Sequence, residues 1–264
     1  MSTLVGDIIP PRCPIARSEV FILRVPVLEA RIDLNAIRDN TEVLVRRHSG
    51  LAVVADVAAD GYGHGMVQVA AAAIEGGASM LCVSTPLAAD ELKGAGFFVP
   101  IVASRGVFPS RSVFGDDVVV AREELYGFHP DGGLRAAMRV SALVVATKRI
   151  DTGDGVSYGH SYRAERPTNL ALVAIGYADG LDRSAGNVGT VMLNGFARRI
   201  AGRVAMNALV LELGEGTAEV GDEALVFGDP QLGEPSASDW ADALTRSTAE
   251  TVAVFGAHLP RHCA

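Results

Sequence analysis

The chain has 264 residues, of which 49% are hydrophobic and 20% are charged, and it contains 29 glycines. This length and composition are typical of a folded α/β protein with one large domain or two smaller ones, and they exclude a disordered chain. The formal net charge of −8 argues against nucleic acid or an anionic membrane as the partner.

The cysteines and the N-terminal residues indicate the compartment. Three cysteines lie far apart in the sequence, so no disulfide framework is predicted and a reducing cytoplasm fits. The apolar stretch at residues 20–27 is interrupted by an arginine and a proline, which argues against a signal peptide. No apolar run approaches the length of a membrane span. We therefore expect a cytoplasmic protein with an N-terminal extension over residues 1–29.

Strand and helix patterns alternate along the first half of the chain. Such alternation predicts βαβ units and a parallel sheet. A short strand from residue 30 feeds a helix that ends near Arg47, with Asn35 as its expected cap. Further strands are predicted at 51–57, 80–83 and 99–103, and further helices at 66–75 and 87–93.

The pattern changes after Leu134, where strand-like segments are joined by turns that contain glycine and aspartate. The predicted strands span 137–145, 169–175, 188–193, 197–204, 209–213 and 224–227. Two helices follow, at 239–244 and 247–255. The second half therefore reads as a β-domain.

Four short motifs carry a family resemblance. They are Tyr-Gly-His-Gly at 62–65, Val-Ser-Tyr-Gly at 156–159, Gly-Tyr-Ala-Asp-Gly at 176–180 and Gly-Arg-Val-Ala-Met at 202–206. In this order they resemble the motifs of alanine racemases, over residues 30–104 and 125–263. The resemblance implies a (β/α)₈ barrel that holds pyridoxal phosphate at its C-terminal mouth, followed by a C-terminal β-domain.

The barrel is too short to be complete. In the family, a Leu-Tyr-Gly segment leads out of the barrel, and here it stands at 125–127, only 21 residues after Ser104. A full barrel needs roughly 250 residues, about 30 per βα unit. We therefore expect an α/β plus all-β fold, with a truncated (β/α)₈-type barrel at 30–127 and a β-domain at 128–264. Whether residues 105–124 form a strand or a loose bridge stays open.

The position of the family's catalytic lysine holds Ala58. In alanine racemases this lysine forms a Schiff base with pyridoxal phosphate, and alanine has no amine for that bond. The whole chain contains two lysines, Lys93 and Lys148, both near the ends of predicted elements. The resemblance thus implies pyridoxal phosphate as the family cofactor, whereas Ala58 predicts that its binding here is weak or absent.

Three positions match functional residues of the family. Tyr158 matches the second catalytic base, which the partner subunit supplies; Tyr62 matches a tyrosine at the cofactor phosphate; Met206 lies near the substrate. Each has a structural alternative as well. Tyr158 is equally an aromatic residue at a strand start, and Tyr62 and His64 are equally parts of a tight turn, with His64 as a hydrogen-bonding group.

Other family positions have changed. Val120 stands where an arginine faces the cofactor ring nitrogen, and Cys263 stands where a tyrosine binds the phosphate. Next to Met206, an aspartate is replaced by Asn207 and a cysteine by Ala205.

Two further constellations are weaker. Asp56 and Asp60 could form an acid/base pair, although exposed loop carboxylates are far commoner. A zinc site at His258 and His262 is disfavoured because Pro260 lies between them.

The sequence favours a degenerate alanine-racemase-like protein that acts, if at all, as a binding or interaction module. One alternative is a pyridoxal-phosphate-dependent racemase whose site is completed across a dimer, and another is a gene remnant without a role. A truncated barrel exposes apolar strands such as 51–54 and 80–83 unless a partner covers them. We expect that partner to be a second copy, giving a homodimer, or an intact racemase subunit.

Overall fold

The first of the two larger sheets is parallel and carries the candidate site. The computed structural model describes residues 28–103 and 116–264. The strand order is β4-β3-β2-β5, and all three pairings are parallel. The strands are β2 (Ala52–Asp56), β3 (Met80–Val83), β4 (Ile101–Ala103) and β5 (Val118–Ala121). The predicted βαβ units are confirmed, and the open question over 105–124 is answered in part, because β5 pairs directly with β2.

Helices cover one face of this sheet. They are α1 (Leu34–Arg47), the short turn α2 (Ala58–Tyr62), α3 (Met66–Glu75) and α4 (Pro86–Gly94). The cap of α1 is Asp33, whose carboxylate accepts a hydrogen bond from the Ala36 amide at 3.0 Å. The expectation that Asn35 caps this helix is therefore wrong, because Asn35 already lies in the first turn.

The strands expected to face water are buried. Val53 and Leu81 are 2% and 0% exposed and belong to the main hydrophobic core. On the other face of the sheet, Val54, Cys82 and Val118 form a separate buried cluster. The expectation that segments 51–54 and 80–83 present apolar side chains to solvent is therefore wrong for these residues.

The second sheet has eight strands and is mostly antiparallel. Its main path is β11-β10-β13-β6-β1-β14, with β9 added on β6 and β12 on β9. A separate two-stranded sheet joins β7 to β8. The strands are β1 (Leu28–Ile32), β6 (Met138–Ile150), β7 (Gly155–Val156), β8 (Tyr162–Arg163), β9 (Thr168–Val173), β10 (Thr190–Leu193), β11 (Phe196–Arg199), β12 (Leu209–Gly214), β13 (Glu223–Phe227) and β14 (Arg261–Cys263). The predicted combination of an α/β part and a β-domain is confirmed.

The first and last described strands lie side by side. β1 runs parallel to β14 and antiparallel to β6. The sequence places this strand at the start of the barrel unit, but its hydrogen bonds belong to the second sheet. From Leu28 onward, the chain thus passes from the β-domain sheet to the parallel sheet and returns.

Two helices close the described chain before β14. They are α5 (Ala237–Ala243) and α6 (Thr248–His258). Ser236 caps α5 by accepting from the Asp239 amide at 2.9 Å, so this helix begins two residues earlier than predicted. Within the described ranges, no helix has both the length and the apolar character needed to cross a bilayer.

Helix α6 touches the backbone of the loop that follows α2. Gly63 has a φ of +81°, and a Cβ built on it would lie 2.9 Å from Gly256 Cα and 3.0 Å from the Ala253 carbonyl oxygen. Only glycine meets both the positive φ and this close approach. The contact ties the C-terminal helix to the candidate site.

We expect Gly63→Ala to destabilise the protein more than Gly195→Ala. Gly195 has a similar φ of +77° but nothing within 4 Å of a built Cβ. Both changes carry the left-handed backbone cost of roughly 1–2 kcal/mol, and Gly63→Ala adds about 1–3 kcal/mol for the forced contact. Urea unfolding of the two variants measures the difference. Equal losses in the free energy of unfolding would contradict the close contact between α6 and the loop at Gly63.

Candidate active site

The candidate site lies at the carboxyl ends of the parallel strands, where barrel enzymes carry their chemistry. Asp56 ends β2 and pairs in register with Cys82 on β3. Ala55 pairs with Ala121 on the other side, so Arg122 follows β5 beside Asp56. Three polar groups from three adjacent strands therefore meet at one edge of the sheet.

Asp56 is the centre of this group and is fully buried. One carboxylate oxygen accepts from the Ala58 amide at 3.1 Å, and the other lies 3.3 Å from Nε of Arg122. The Tyr62 hydroxyl lies near enough to this carboxylate to favour its charged form and lower its pKa. The backbone carbonyl of Asp56 accepts from the Tyr126 hydroxyl at 2.8 Å. The prediction of an exposed loop carboxylate is therefore wrong for Asp56.

Burial sets the protonation behaviour of the cluster. Burial raises the pKa of Asp56, while the Ala58 amide and the Arg122 charge oppose the rise. Burial and the neighbouring Asp56 also raise the pKa of Tyr62. The same two causes raise the pKa of Cys82 to about 12, so its thiol stays protonated and unreactive near neutral pH.

An aromatic cluster packs behind Tyr62. The Tyr62 and Tyr126 ring centroids are 5.1 Å apart, and those of His64 and Tyr126 are 4.6 Å apart. His64 Nδ1 lies 2.9 Å from the Gly61 carbonyl oxygen and 3.2 Å from that of Tyr62. His64 is thus a hydrogen-bonding group of the turn, in agreement with the structural alternative given for this residue.

The turn between β2 and α3 is strained. Ala59, Asp60 and Tyr62 are non-glycine residues with φ of 50°, 56° and 51°. Left-handed backbone costs such residues roughly 1–2 kcal/mol each, and strain of this kind concentrates at functional sites. Arg261 of β14 clamps the turn through an ion pair with Asp60 and a 3.2 Å hydrogen bond to the Gly63 carbonyl oxygen. Asp56 and Asp60 therefore bind different arginines and do not form an acid/base pair with each other.

The residue at the lysine position supplies no side-chain chemistry. Ala58 is 8% exposed, and its amide is bound to Asp56. Lys93 lies on α4, where its amine pairs with Asp90 at 3.3 Å. Lys148 is exposed on β6 of the other sheet. Neither lysine lies on an element that forms the Asp56 cluster.

The other altered positions carry side chains that are not phosphate ligands. Val120 pairs in register with Val54 inside the sheet, and Cys263 is an exposed free thiol on β14. His262 also lies on β14, whereas His258 ends α6 and bonds through Nδ1 to the Val254 carbonyl oxygen at 2.8 Å.

A second set of predicted residues lies on the surface of the β-domain. Tyr158 is 77% exposed and Met206 is 55% exposed, whereas Tyr62 is buried. Their loops are held by hydrogen bonds. Ser157 Oγ donates to the Arg203 carbonyl oxygen at 2.6 Å, and the Ala178 amide donates to that of Met206 at 2.9 Å. The structure therefore splits the predicted site residues between a buried cluster and an ordered surface.

Comparison with known proteins connects these features to one family. The family model "Alanine racemase, N-terminal domain" matches residues 32–116, and "Alanine racemase, C-terminal domain" matches residues 137–263. The alanine racemase of Thermobifida fusca is 30% identical over 362 aligned positions, which cover 88% of this chain and 97% of the relative. That of Salinispora arenicola is 45% identical over 150 residues, which cover 55% of this chain and 40% of the relative.

Solved structures agree. The alanine racemase of a D-cycloserine-producing Streptomyces lavendulae superposes with a TM-score of 0.83 at 28% identity, covering 91% of this chain and 98% of that one. Fold and motif order thus define a two-part protein, a parallel α/β sheet joined to a β-domain of the racemase type. The chain belongs to the alanine racemase family. Because the 362 positions aligned with the Thermobifida relative exceed the 264 residues here, an internal segment of that relative has no counterpart.

The buried cluster does not fit covalently held pyridoxal phosphate, the family's cofactor. Ala58 lacks the amine, and the buried Asp56 carboxylate lies close enough to Tyr62 to raise the pKa of its hydroxyl. That carboxylate would also repel an anionic phosphate nearby. The Ala58 amide and the Arg122 guanidinium, two donors that could serve a bound anion, are already bound to Asp56.

Sequence reasoning missed Arg122 and misjudged Asp56. One signal was present, since Asp56 is a single carboxylate at the end of an otherwise apolar strand, a place where burial needs a partner. Arg122 could not be assigned, because its closeness to Asp56 depends on β5 pairing with β2 across a long stretch of sequence.

We expect the protein to lose stability as the pH falls from about 6.5 to about 4, in part because of His64. Burial lowers the pKa of His64 to about 4, and its Nε2 has no hydrogen-bond partner among the described residues. As the pH falls through this range, His64 takes up a proton in the unfolded state before it does so in the folded state. Up to about 3 kcal/mol of the stability present above pH 6.5 is therefore lost on acidification.

Urea unfolding at a series of pH values measures this loss. His64→Gln should flatten the slope between these pH values, while the control His48→Gln, at a partly exposed histidine, should leave it unchanged. An equal slope in wild type and His64→Gln would contradict the assignment.

Proposed function

We propose that this chain is a non-racemising member of the alanine racemase family and acts as a binding or interaction module. The observation that carries the proposal is the Asp56 cluster around Ala58, since the residue at the lysine position is an alanine whose amide binds a buried carboxylate. Racemisation needs acid/base groups on both faces of the substrate carbon, and one of these groups is missing.

The chemistry of the cluster supports this proposal over weak retention of activity. Asp56 binds Arg122 and the Ala58 amide. A bound phosphate would have to displace this carboxylate from its partners or lie beside it. Breaking a buried ion pair typically costs about 3–5 kcal/mol, which is large compared with the affinity left without a covalent anchor.

The alternative is a pyridoxal-phosphate-dependent racemase whose site is completed across a dimer. What favours it is Tyr158, exposed on a loop that Arg203 holds through Ser157. A tyrosine presented in this way could enter a site on another subunit. Both proposals agree with a cytoplasmic location, since Cys82 and Cys263 are free thiols.

We expect the purified protein with added pyridoxal phosphate to show no Schiff-base absorption band and no conversion of L-alanine to D-alanine. Loss of one acid/base group alone typically removes a factor of about 10²–10⁴ in rate. Visible spectroscopy and a chiral assay measure the two properties separately. A Schiff-base band together with turnover that Tyr158→Phe abolishes would establish the alternative.

Two further variants separate the reasons for inactivity. Ala58→Lys restores the amine, but we expect no racemisation because Val120 and Cys263 remain at two cofactor positions. Adding Asp56→Val to Ala58→Lys removes the competing carboxylate and should strengthen the Schiff-base band relative to Ala58→Lys alone. Equal bands would show that Asp56 does not oppose the cofactor.

We further propose that the exposed surface around Tyr158 and Met206 binds a second copy of this chain, or a complete racemase subunit in its place. Large apolar side chains exposed on ordered loops are typical of an interface. This surface belongs to the loops of the β-domain.

We expect a dimer in sedimentation at micromolar concentration, and we expect Tyr158→Asp to shift it to monomer. Phe98→Asp is the matched control, because Phe98 is a 97% exposed aromatic residue on the other part of the chain. A wild-type monomer, or equal dissociation of both variants, would contradict an interface at Tyr158.

A further inference from the structure

A small cavity lies behind the candidate site, where the turn after β2, the segment that leaves the parallel sheet and the start of α5 meet. It gives the centre of a water molecule about 10 Å³ of room, which is enough for one water. Three side chains of its lining carry polar atoms, namely His64, Tyr126 and Ser236. The Tyr126 hydroxyl donates to the Asp56 carbonyl oxygen at 2.8 Å, so the side chains of His64 and Ser236 remain to face an occupant.

The hydrogen bonds of His64 define its protonation state. Its Nδ1 lies 2.9 Å from the Gly61 carbonyl oxygen and 3.2 Å from the Tyr62 carbonyl oxygen. Carbonyl oxygens only accept hydrogen bonds, so Nδ1 carries the proton. Burial lowers the pKa of His64 to about 4, so the ring is neutral near pH 7. Its Nε2 therefore has no proton and can only accept a hydrogen bond.

This acceptor has no partner among the described residues. His64 is 1% exposed, and its Nε2 is buried without a hydrogen bond. A buried acceptor that lacks a donor loses its bond to water and gains none in return, so such atoms are rare in folded proteins. Nδ1 faces the carbonyl oxygens of the turn, so the opposite edge of the ring, with Nε2, is the part that lines the cavity.

Ser236 can supply a second hydrogen bond in the same cavity. Its Oγ accepts from the Asp239 amide at 2.9 Å and lies 2.9 Å from Ser238 Oγ. A hydroxyl has one donor and two acceptor positions. With the Ser238 hydroxyl as donor, both acceptor positions of Ser236 are filled, and the hydrogen of Ser236 is available to an occupant of the cavity.

We propose that one buried water molecule is bound in this cavity, where it donates a hydrogen bond to His64 Nε2 and accepts one from the Ser236 hydroxyl. An occupant has to be a hydrogen-bond donor and has to fit a space for one non-hydrogen atom, and water meets both conditions. The water links the strained turn to the first turn of α5. An apolar occupant is disfavoured because it would leave Nε2 unpaired. The inference does not depend on whether the Asp56 cluster binds a cofactor.

A crystal structure of the full-length protein, at a resolution that shows ordered water, tests the proposal directly. We expect a density peak at about 2.7–3.2 Å from His64 Nε2, the range of a hydrogen bond. No peak at this position, in a map that shows other buried waters, would overturn the proposal.

Nuclear magnetic resonance tests the same site in solution near pH 7. We expect the His64 ring to carry its proton on Nδ1, and its C–H protons to show a cross-peak to water with the sign that long-lived bound water gives. His48, a partly exposed histidine, serves as the control and should show no such cross-peak. A proton on Nε2, or no cross-peak at His64, would contradict the proposal.

A matched pair of variants connects the water to its acceptor. His64→Phe removes Nε2 and should abolish the density peak, whereas His48→Phe should retain it. Thermal unfolding checks that both variants fold. A peak that persists at the same place in folded His64→Phe would overturn the proposal, since Nε2 would not hold the water. If His64→Phe does not fold, the two measurements on the wild-type protein decide.

Discussion

The buried ion pair between Asp56 and Arg122 is the constraint on which the parallel sheet depends. A carboxylate without exposure to solvent is costly unless its charge is paired and its oxygens are hydrogen-bonded. Here β5 brings Arg122 within 3.3 Å, and the start of α2 supplies the Ala58 amide. The pairing of β5 with β2 is therefore needed twice, once for the backbone ladder and once to neutralise Asp56. The charge of Asp56 is therefore one reason why β5 lies next to β2.

The strained turn after β2 is stable because other parts of the chain hold it. The left-handed residues of α2 lie between the Asp56 hydrogen bond on one side and the Arg261 clamp on the other. Arg261 belongs to β14, which pairs with β1 in the other sheet. The two sheets are thus coupled through one turn. That coupling explains why the turn keeps its shape although the residue at the lysine position offers no chemistry.

Sequence patterns predicted much of the fold, but not how the side chains around Ala58 are arranged. The alternation of strands and helices, the four motifs and the alanine at position 58 are local features, so they can be read from the chain. The burial of Asp56, its partner Arg122 and the place of β1 in the second sheet depend on contacts between distant segments. The cap of α1 and the start of α5 each lie two residues before the predicted position, because several neighbouring residues can accept an amide hydrogen bond.

The absence of a counterpart to an internal segment of the Thermobifida relative affects the two groups of predicted site residues unequally. Residues of the parallel sheet depend on neighbouring strands, and there the Asp56 carboxylate holds the Ala58 amide and Arg122. The loops of Tyr158 and Met206 depend instead on hydrogen bonds within the β-domain, which the shortening leaves in place. Binding that rests on these parts of the β-domain is therefore independent of the Asp56 cluster.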